Sequence, residues 1–294
     1  MGKFSQLQLM LRRSTIQLLR FHFSIFLLPV YLFALSQVPH IDWINALTVF
    51  AVLHLLVYPS SNGYNSYMDR DTSPIGGLQK PLQPTKQLFY VSVIMDVAAV
   101  ALSFIISAWF AAGVLLYILA SRAYSYRGIR LKQYPVKGYL VVLIFQGALV
   151  FALSYYGSSH DHSYHVPVWG IIAAACLIGG SYPLTQVYQH AEDRADGVRT
   201  ISYVLGKKGT FIFCSLVFGI AAAAMFFLFY QNQNLWPFYL FLICTGPMVW
   251  FFLHWMRKVW QDERNANFKN SLLMNVLASV CTTVCFLILI ITKN

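Results

Sequence analysis

Nine apolar runs divide the sequence, at about 17–38, 44–61, 88–106, 109–124, 138–157, 167–187, 209–230, 235–255 and 271–291. A helix needs roughly 17–25 residues at 1.5 Å each to cross a bilayer, so each run is long enough to span. The tightest boundary is between the third and fourth, where the turn falls in "ISAW" (106–109). Only 11% of the 294 residues are charged and 58% are hydrophobic, against about a quarter charged in a soluble domain. There is too little polar surface here to coat a globule in water. Lipid leaves each backbone amide to find its partner within its own segment, which selects helices. The alternation of a membrane barrel is absent. The expected fold is therefore all-α: a polytopic membrane protein with nine transmembrane helices around a central cavity.

Charge sorts the loops. With nine spans, one side of the membrane receives Lys3, Arg12, Arg13 and Arg20; Arg70, Lys80 and Lys86; Arg122, Arg127, Arg130, Lys132 and Lys137; Arg194, Arg199, Lys207 and Lys208; and Arg257, Lys258, Arg264 and Lys269. Of the 21 basic residues, Lys293 alone falls on the other. Positive loops stay cytoplasmic, so the N-terminus is expected inside and the C-terminus outside. A wrong helix count would scramble this sorting. The net charge of +11 is thus mostly topology, and no soluble basic domain exists to bind nucleic acid. The first twenty residues are basic and amphipathic, without a small-residue cleavage site, and read as a cytoplasmic surface helix leading into the first span. The expected location is a bacterial inner (cell) membrane. All five cysteines (Cys176, Cys214, Cys244, Cys281 and Cys285) lie inside apolar runs and read as small packing hydrophobes.

Two apolar runs end in the same polar signature. "YPSSNGYNSYMDR" (58–70) superposes on "YPLTQVYQHAEDR" (182–194) at an offset of 124, matching Tyr58 to Tyr182, Pro59 to Pro183, Asn62 to Gln186, Asn65 to Gln189 and Asp69 to Asp193. Asn62, Asn65 and Asp69 are spaced i, i+3, i+7, as are Gln186, Gln189 and Asp193, and on a regular helix such residues share a face. Each set ends its span on the cytoplasmic side. Four helices separate the sets, so the two halves (roughly 17–137 and 138–255, with a ninth helix added) share one orientation within a single domain over 1–294. Inverted repeats and midplane sites are the commoner transporter plan. Polar groups at this depth are costly unless they bind something or bond to a neighbouring helix. Oxygen stripes suit Mg²⁺ shared with substrate phosphates. The cations nearby (Arg70, Lys80, "YSYRGIRLK" at 124–132, Arg194 and Arg199) suit a polyanion, although each of them also satisfies the positive-inside rule.

At these motifs the chain resembles the UbiA superfamily of intramembrane prenyltransferases, over nearly its whole length. The family's first motif has the form NDxxDxxxD with Arg-Pro some ten residues on; here "SNGYNSYMD" (61–69) is followed by Lys80-Pro81. The second has the form DxxDxxxD followed by Arg, Gly and Arg-Thr; here 186–206 keeps Asp193, Arg194, Gly197, Arg199 and Thr200. The segment 124–138 looks like the family's basic loop between helices four and five. The resemblance implies transfer of a prenyl chain from a polyprenyl diphosphate to an aromatic or other lipophilic acceptor such as a quinone precursor, with Mg²⁺ as cofactor. It makes Asp69 and Asp193 the catalytic carboxylates. Asn62, Asn65, Asp69, Asp71, Gln186, Gln189 and Asp193 would be metal ligands. Arg70, Lys80, Tyr124, Arg130, Lys132, Arg194 and Arg199 would hold the diphosphate, and the prenyl tail would lie between helices, open to lipid.

Four of the six carboxylates that the pattern expects are amides in this chain. Asn62, Asn65, Gln186 and Gln189 stand where carboxylates are expected, so the motifs bring less charge to a metal. Asp71, Glu192 and Asp196 lie close by and are candidate substitutes, and an alternative register puts Asn65, Asp69 and Ser73 on the first motif. Three outcomes follow: an active enzyme with weaker or single metal binding, an enzyme on an unusual donor, or an inactive homologue that binds isoprenoid lipid. A small-molecule transporter is the more distant alternative. Asp96, mid-way along the third span, is either functional or a protonated carboxyl bonded to His54 or Gln146; these three are candidates for the acceptor side of a cavity. His160, His162 and His165 on the outer loop read as a short solvated turn.

Overall fold

The computed structural model describes residues 11–293. Nine helices long and apolar enough to cross a membrane lie among them: α1 Arg13–Gln37, α2 Trp43–Asp69, α3 Lys86–Ser103, α4 Ala108–Ser125, α5 Pro135–Ser158, α6 Val168–Thr185, α7 Ile201–Gln231, α8 Trp236–Gln261 and α9 Phe268–Ile291. The described residues form no β-sheet, only isolated bridges at Ile41–Ser159 and Ile75–Leu78. Side-chain oxygens cap several helix starts. Asp42 accepts from Asn45 N at 3.0 Å, Ser107 from Phe110 N at 3.0 Å and Asn267 from Asn270 N at 3.1 Å, each satisfying an amide that has no partner within its helix. Ser107 thus closes the short α3–α4 turn close to where the sequence placed it. The amphipathic segment expected over the first twenty residues lies partly outside the described residues. Its described part, Arg13–Leu19, is helical and ends at Arg20 in a left-handed conformation (φ 49°).

Large apolar side chains cover the outside of the bundle, among them Ile44, Trp109, Val168, Trp250 and Ile291. Only a lipid solvent makes such a surface stable, so the chain is an integral membrane protein. Inside, one core joins α1, α2, α5 and α9 through Phe33, which packs on Phe151 and Phe286. A second core joins α7, α8 and α9 around Phe211 and Trp255. Small residues let the helices approach closely. A Cβ on Gly147 of α5 would sit 2.5 Å from the Cα of Ala175 in α6.

The two matched segments fold differently. α2 carries its polar stretch as helix to Asp69, eight residues beyond the expected end of the span. Pro59 lacks the N–H that would bond the preceding turn. A wider π-helical turn over Ala51–Val57 absorbs the misfit. In α6 the regular helix stops at Ser181, a 3₁₀ turn covers Tyr182–Thr185, and a separate short helix spans His190–Ala195. Gln186, Gln189 and Asp193 therefore do not share one regular helix face as their spacing predicts. α7 also breaks, at Gly206 (φ 68°, ψ 172°), a conformation open to glycine alone.

Candidate active site

At the end of the bundle that holds the basic loops, α1, α2, α4, α5, α6 and α9 surround a cavity of about 280 Å³. Both motif segments face it despite the break in α6: its wall includes Asn62, Asn65, Asp69, Gln186, Gln189 and Asp193. Asp71, Glu192 and Asp196, the nearby carboxylates named from sequence, also line it. Five of the chain's ten carboxylates thus surround one cavity, which offsets part of the charge missing from the motifs. Ser73, from the alternative register, lies on the same wall.

The loop between α4 and α5 ties the two motifs together. Lys132 forms an ion pair with Asp69, and Arg130 forms one with Asp196 while its Nη2 lies 3.7 Å from Asp69 Oδ1. Arg130 Nη1 also donates to the Asp196 carbonyl at 3.2 Å. The amide side chains are oriented by the protein. Asn65 donates Nδ2 to Ser125 Oγ at 3.0 Å, and Gln189 donates Nε2 to Pro74 O at 3.1 Å. Their NH₂ groups being engaged, their carbonyl oxygens are the ends left to accept. Gln186 Oε1 and Asp69 Oδ1 are buried without hydrogen-bond partners. Thr200 Oγ1 donates to Asp193 Oδ2 at 3.3 Å.

Burial pushes the Asp193 carboxyl up to about 7, with Asp71 and Glu192 adding to the rise, while the Thr200 hydroxyl and the Lys132 ammonium oppose it. Asp71 is raised as well, by burial first and by Asp69 second. Crowded, partly desolvated carboxylates of this kind hold protons until a cation replaces them. Among the described residues no three His, Cys, Asp or Glu side chains converge tightly enough to form a preformed metal cage. The donor set on the wall is all oxygen, and Gln186 Oε1 and Asp69 Oδ1 carry no hydrogen-bond partner. That suits a hard cation that keeps part of its shell for water or phosphate, so the residues present fit Mg²⁺.

The other expected residues divide between the cavity wall and the rest of the molecule. Tyr124 and Gln146 lie on the cavity wall, and the Tyr124 hydroxyl pairs with that of Tyr182. Arg70, Lys80, Arg194 and Arg199 are exposed and lie off the wall. Arg70 caps α2 in a left-handed conformation near the Tyr67 ring, and Arg199 donates only its backbone N–H to Gln133 O at 3.3 Å. His54 is buried away from the cavity, with Nδ1 3.1 Å from Ser24 O and its ring stacked on Phe50. The wide turn it sits in shifts α2 off the 3.6-residue period that put His54 in line with Asn62. Asp96 bonds neither His54 nor Gln146. It pairs with Arg122 of α4 and accepts from Ser60 of α2, outside the cavity wall. His162 stacks on Tyr156 at the other end of the molecule.

Sequence reasoning missed Arg20. It reads there as one more cytoplasmic cation, yet its guanidinium enters the cavity and donates to Gly76 O at 3.1 Å and Asn62 O at 3.3 Å. Ser121, Ser181 and Asn275 were also missed. Isolated small polar residues in apolar runs carry no signal that separates cavity from packing.

A nine-helix bundle with a carboxylate- and amide-lined cavity at its basic end defines a polytopic membrane protein with a polar chamber among its helix ends. The sequence matches the model of the UbiA prenyltransferase family over residues 23–288, and the chain belongs to that family of prenyltransferases. Its fold is similar to that of a UbiA homologue from Archaeoglobus fulgidus bound to DMAPP and Mg²⁺, with a TM-score of 0.70 and 17% identity over 95% of this chain and 99% of that one. It is also similar to the apo structure of a UbiA homologue from Aeropyrum pernix K1, with a TM-score of 0.68 and 17% identity over 92% and 98%. A digeranylgeranylglyceryl phosphate synthase structure matches with a TM-score of 0.61 and 18% identity over 96% and 98%. Curated protein sequences show no significant match.

Proposed function

We propose that this chain transfers a prenyl group from a polyprenyl diphosphate to a lipophilic acceptor within the membrane, with Mg²⁺ as cofactor. The observation that carries the reading is the convergence of both matched segments and five carboxylates on one cavity. Asp69, Asp71, Glu192 and Asp193, with the amide oxygens of Asn62, Asn65, Gln186 and Gln189, are the residues that would hold the metal together with the diphosphate. When bound, Mg²⁺ offsets the charge that builds on the departing pyrophosphate. Lys132 and Arg20 add positive charge on the same wall, and Arg130 offsets the negative charge of Asp69 and Asp196. The apolar wall of Phe23, Phe26 and Ile178 shields an allylic cation from water. Beyond Phe26 and Ile178 the cavity adjoins an apolar channel of about 70 Å³ lined by α1, α6, α7, α8 and α9, which suits a prenyl tail. The two halves, roughly 17–137 and 138–255, each supply one motif in the same orientation. Positive-inside sorting turns the cavity toward the cytoplasm.

Equilibrium binding of geranyl diphosphate to the purified protein tests this. Binding is expected to need Mg²⁺ and to be abolished by EDTA. Equal binding of geraniol and geranyl diphosphate, indifferent to Mg²⁺, would instead identify a lipid-binding homologue without transferase chemistry.

A further inference from the structure

Amides and carboxylates differ in how they must be held beside a metal. A carboxylate offers oxygen whichever way it turns, whereas an amide offers oxygen in one flip and NH₂ in the other. An NH₂ turned toward a cation supplies no lone pair and sets positive hydrogens against it. Each amide that stands in a motif therefore needs a group to take up its NH₂. Ser125 Oγ does this for Asn65, and the Pro74 carbonyl does it for Gln189.

Gln186 is the one fully buried amide of the four, at 6% exposure, and it lines the cavity. Its side chain hydrogen-bonds the Tyr182 hydroxyl across the 3₁₀ turn at the end of α6. Gln186 Oε1 has no partner among the described residues, so the NH₂ is the donor in that bond and the hydroxyl oxygen the acceptor. The Tyr182 hydroxyl also pairs with that of Tyr124 in α4. With two lone pairs, Tyr182 accepts from Gln186 whichever of the two tyrosines donates to the other. The matched pair in the first half behaves differently. Tyr58 precedes Asn62 by the same spacing, yet its hydroxyl is buried without a partner among the described residues, and its ring packs on His54 and Tyr117. The i, i+4 spacing alone does not produce the contact.

Resting on the Mg²⁺-dependent reading above, we infer that Tyr182 is a positioning residue of the metal site: it holds the NH₂ of Gln186, which leaves the amide oxygen as the end available to the cation. Tyr124 holds Tyr182 in turn. The pair recovers by orientation part of what the second motif loses by carrying an amide. Without the Tyr182 hydroxyl, Gln186 is free to flip, and metal affinity falls. A glutamate at position 186 has no wrong end and does not need Tyr182.

Tyr182→Phe removes one oxygen and keeps the ring. The full chain in phosphatidylcholine nanodiscs is titrated with Mg²⁺, and equilibrium binding of labelled geranyl diphosphate is read with no acceptor present. Tyr182→Phe is expected to raise the half-saturating Mg²⁺ concentration about tenfold in the otherwise unchanged chain, and by less than about twofold beside Gln186→Glu. Saturating Mg²⁺ should restore geranyl diphosphate affinity, as it does for a misoriented ligand and does not for a collapsed cavity. An unchanged Mg²⁺ dependence in Tyr182→Phe overturns the inference. So does an equal shift in both backgrounds, or affinity that saturating Mg²⁺ fails to restore, since either makes Tyr182 a packing residue only. Binding by the unsubstituted chain that ignores Mg²⁺ is a separate result: it contradicts the Mg²⁺-dependent reading itself and takes this inference with it.

Discussion

Asp193 sits half-buried on the cavity wall. Burial lifts its carboxyl to about 7, with Asp71 and Glu192 adding to the rise. A raised acid binds its proton in the folded state at pH values where the unfolded chain has already lost it, so its contribution is stabilising at low pH and is lost as pH rises toward 7. The metal-free protein is therefore expected to melt at lower temperature at pH 8 than at pH 5.5. Mg²⁺ with a diphosphate should narrow that gap, because a bound cation replaces the proton; thermal unfolding in detergent reads both. Asn65→Asp restores a charge the motif lacks, and the Ser125 hydroxyl that now accepts from Asn65 can donate to the new carboxylate. The half-saturating Mg²⁺ concentration should fall by about three- to tenfold, measured as the Mg²⁺ dependence of turnover. Oxygen-bearing residues at fixed spacing were legible in the sequence because both segments repeat them. The role of Arg20 and the partner of Asp96 were not, since a lone charge in an apolar run does not reveal which neighbouring helix will receive it.

Pro59 and Pro183 occupy matched positions in the repeat, yet one element continues and the other breaks. α2 takes up its proline in a wide turn upstream. α6 carries Gly179 and Gly180 just before its own and packs them against α5 and α7, so its regular helix gives way to a 3₁₀ turn. Periodicity alone predicted one helix face in both cases, because it contains no information about which helix has the backbone freedom to stop. Behind α2, Asp96 of α3 and Arg122 of α4 form an ion pair, with the Arg122 guanidinium 4.0 Å from the centre of the Tyr64 ring. Asp96→Ala strands Arg122 among apolar helices and is expected to cost about 3–5 kcal/mol of stability. The double replacement Asp96→Leu with Arg122→Leu should recover most of it, as read by thermal unfolding. Gly147→Ala should cost about 1–3 kcal/mol, because the added methyl forces α5 away from α6.

For the whole molecule, the helix count was legible because two independent patterns agree: nine apolar runs, and one basic side. The cavity itself was not, since it depends on how six helices tilt against each other. In a background freed of the native cysteines, Arg264→Cys at the basic end should react with an impermeant thiol reagent only from the cytoplasmic side. Asn232→Cys at the other end should react only from outside. We propose one metal-dependent prenyl-transfer site formed by the paired segments. It is tested most directly by following pyrophosphate release from labelled prenyl diphosphates by the purified protein, with Mg²⁺ and a panel of aromatic acceptors, alongside Asp69→Ala and Asp193→Ala. Release that requires Mg²⁺ and falls by about 10²-fold or more in each variant is the predicted result; release unchanged by either substitution would contradict the account.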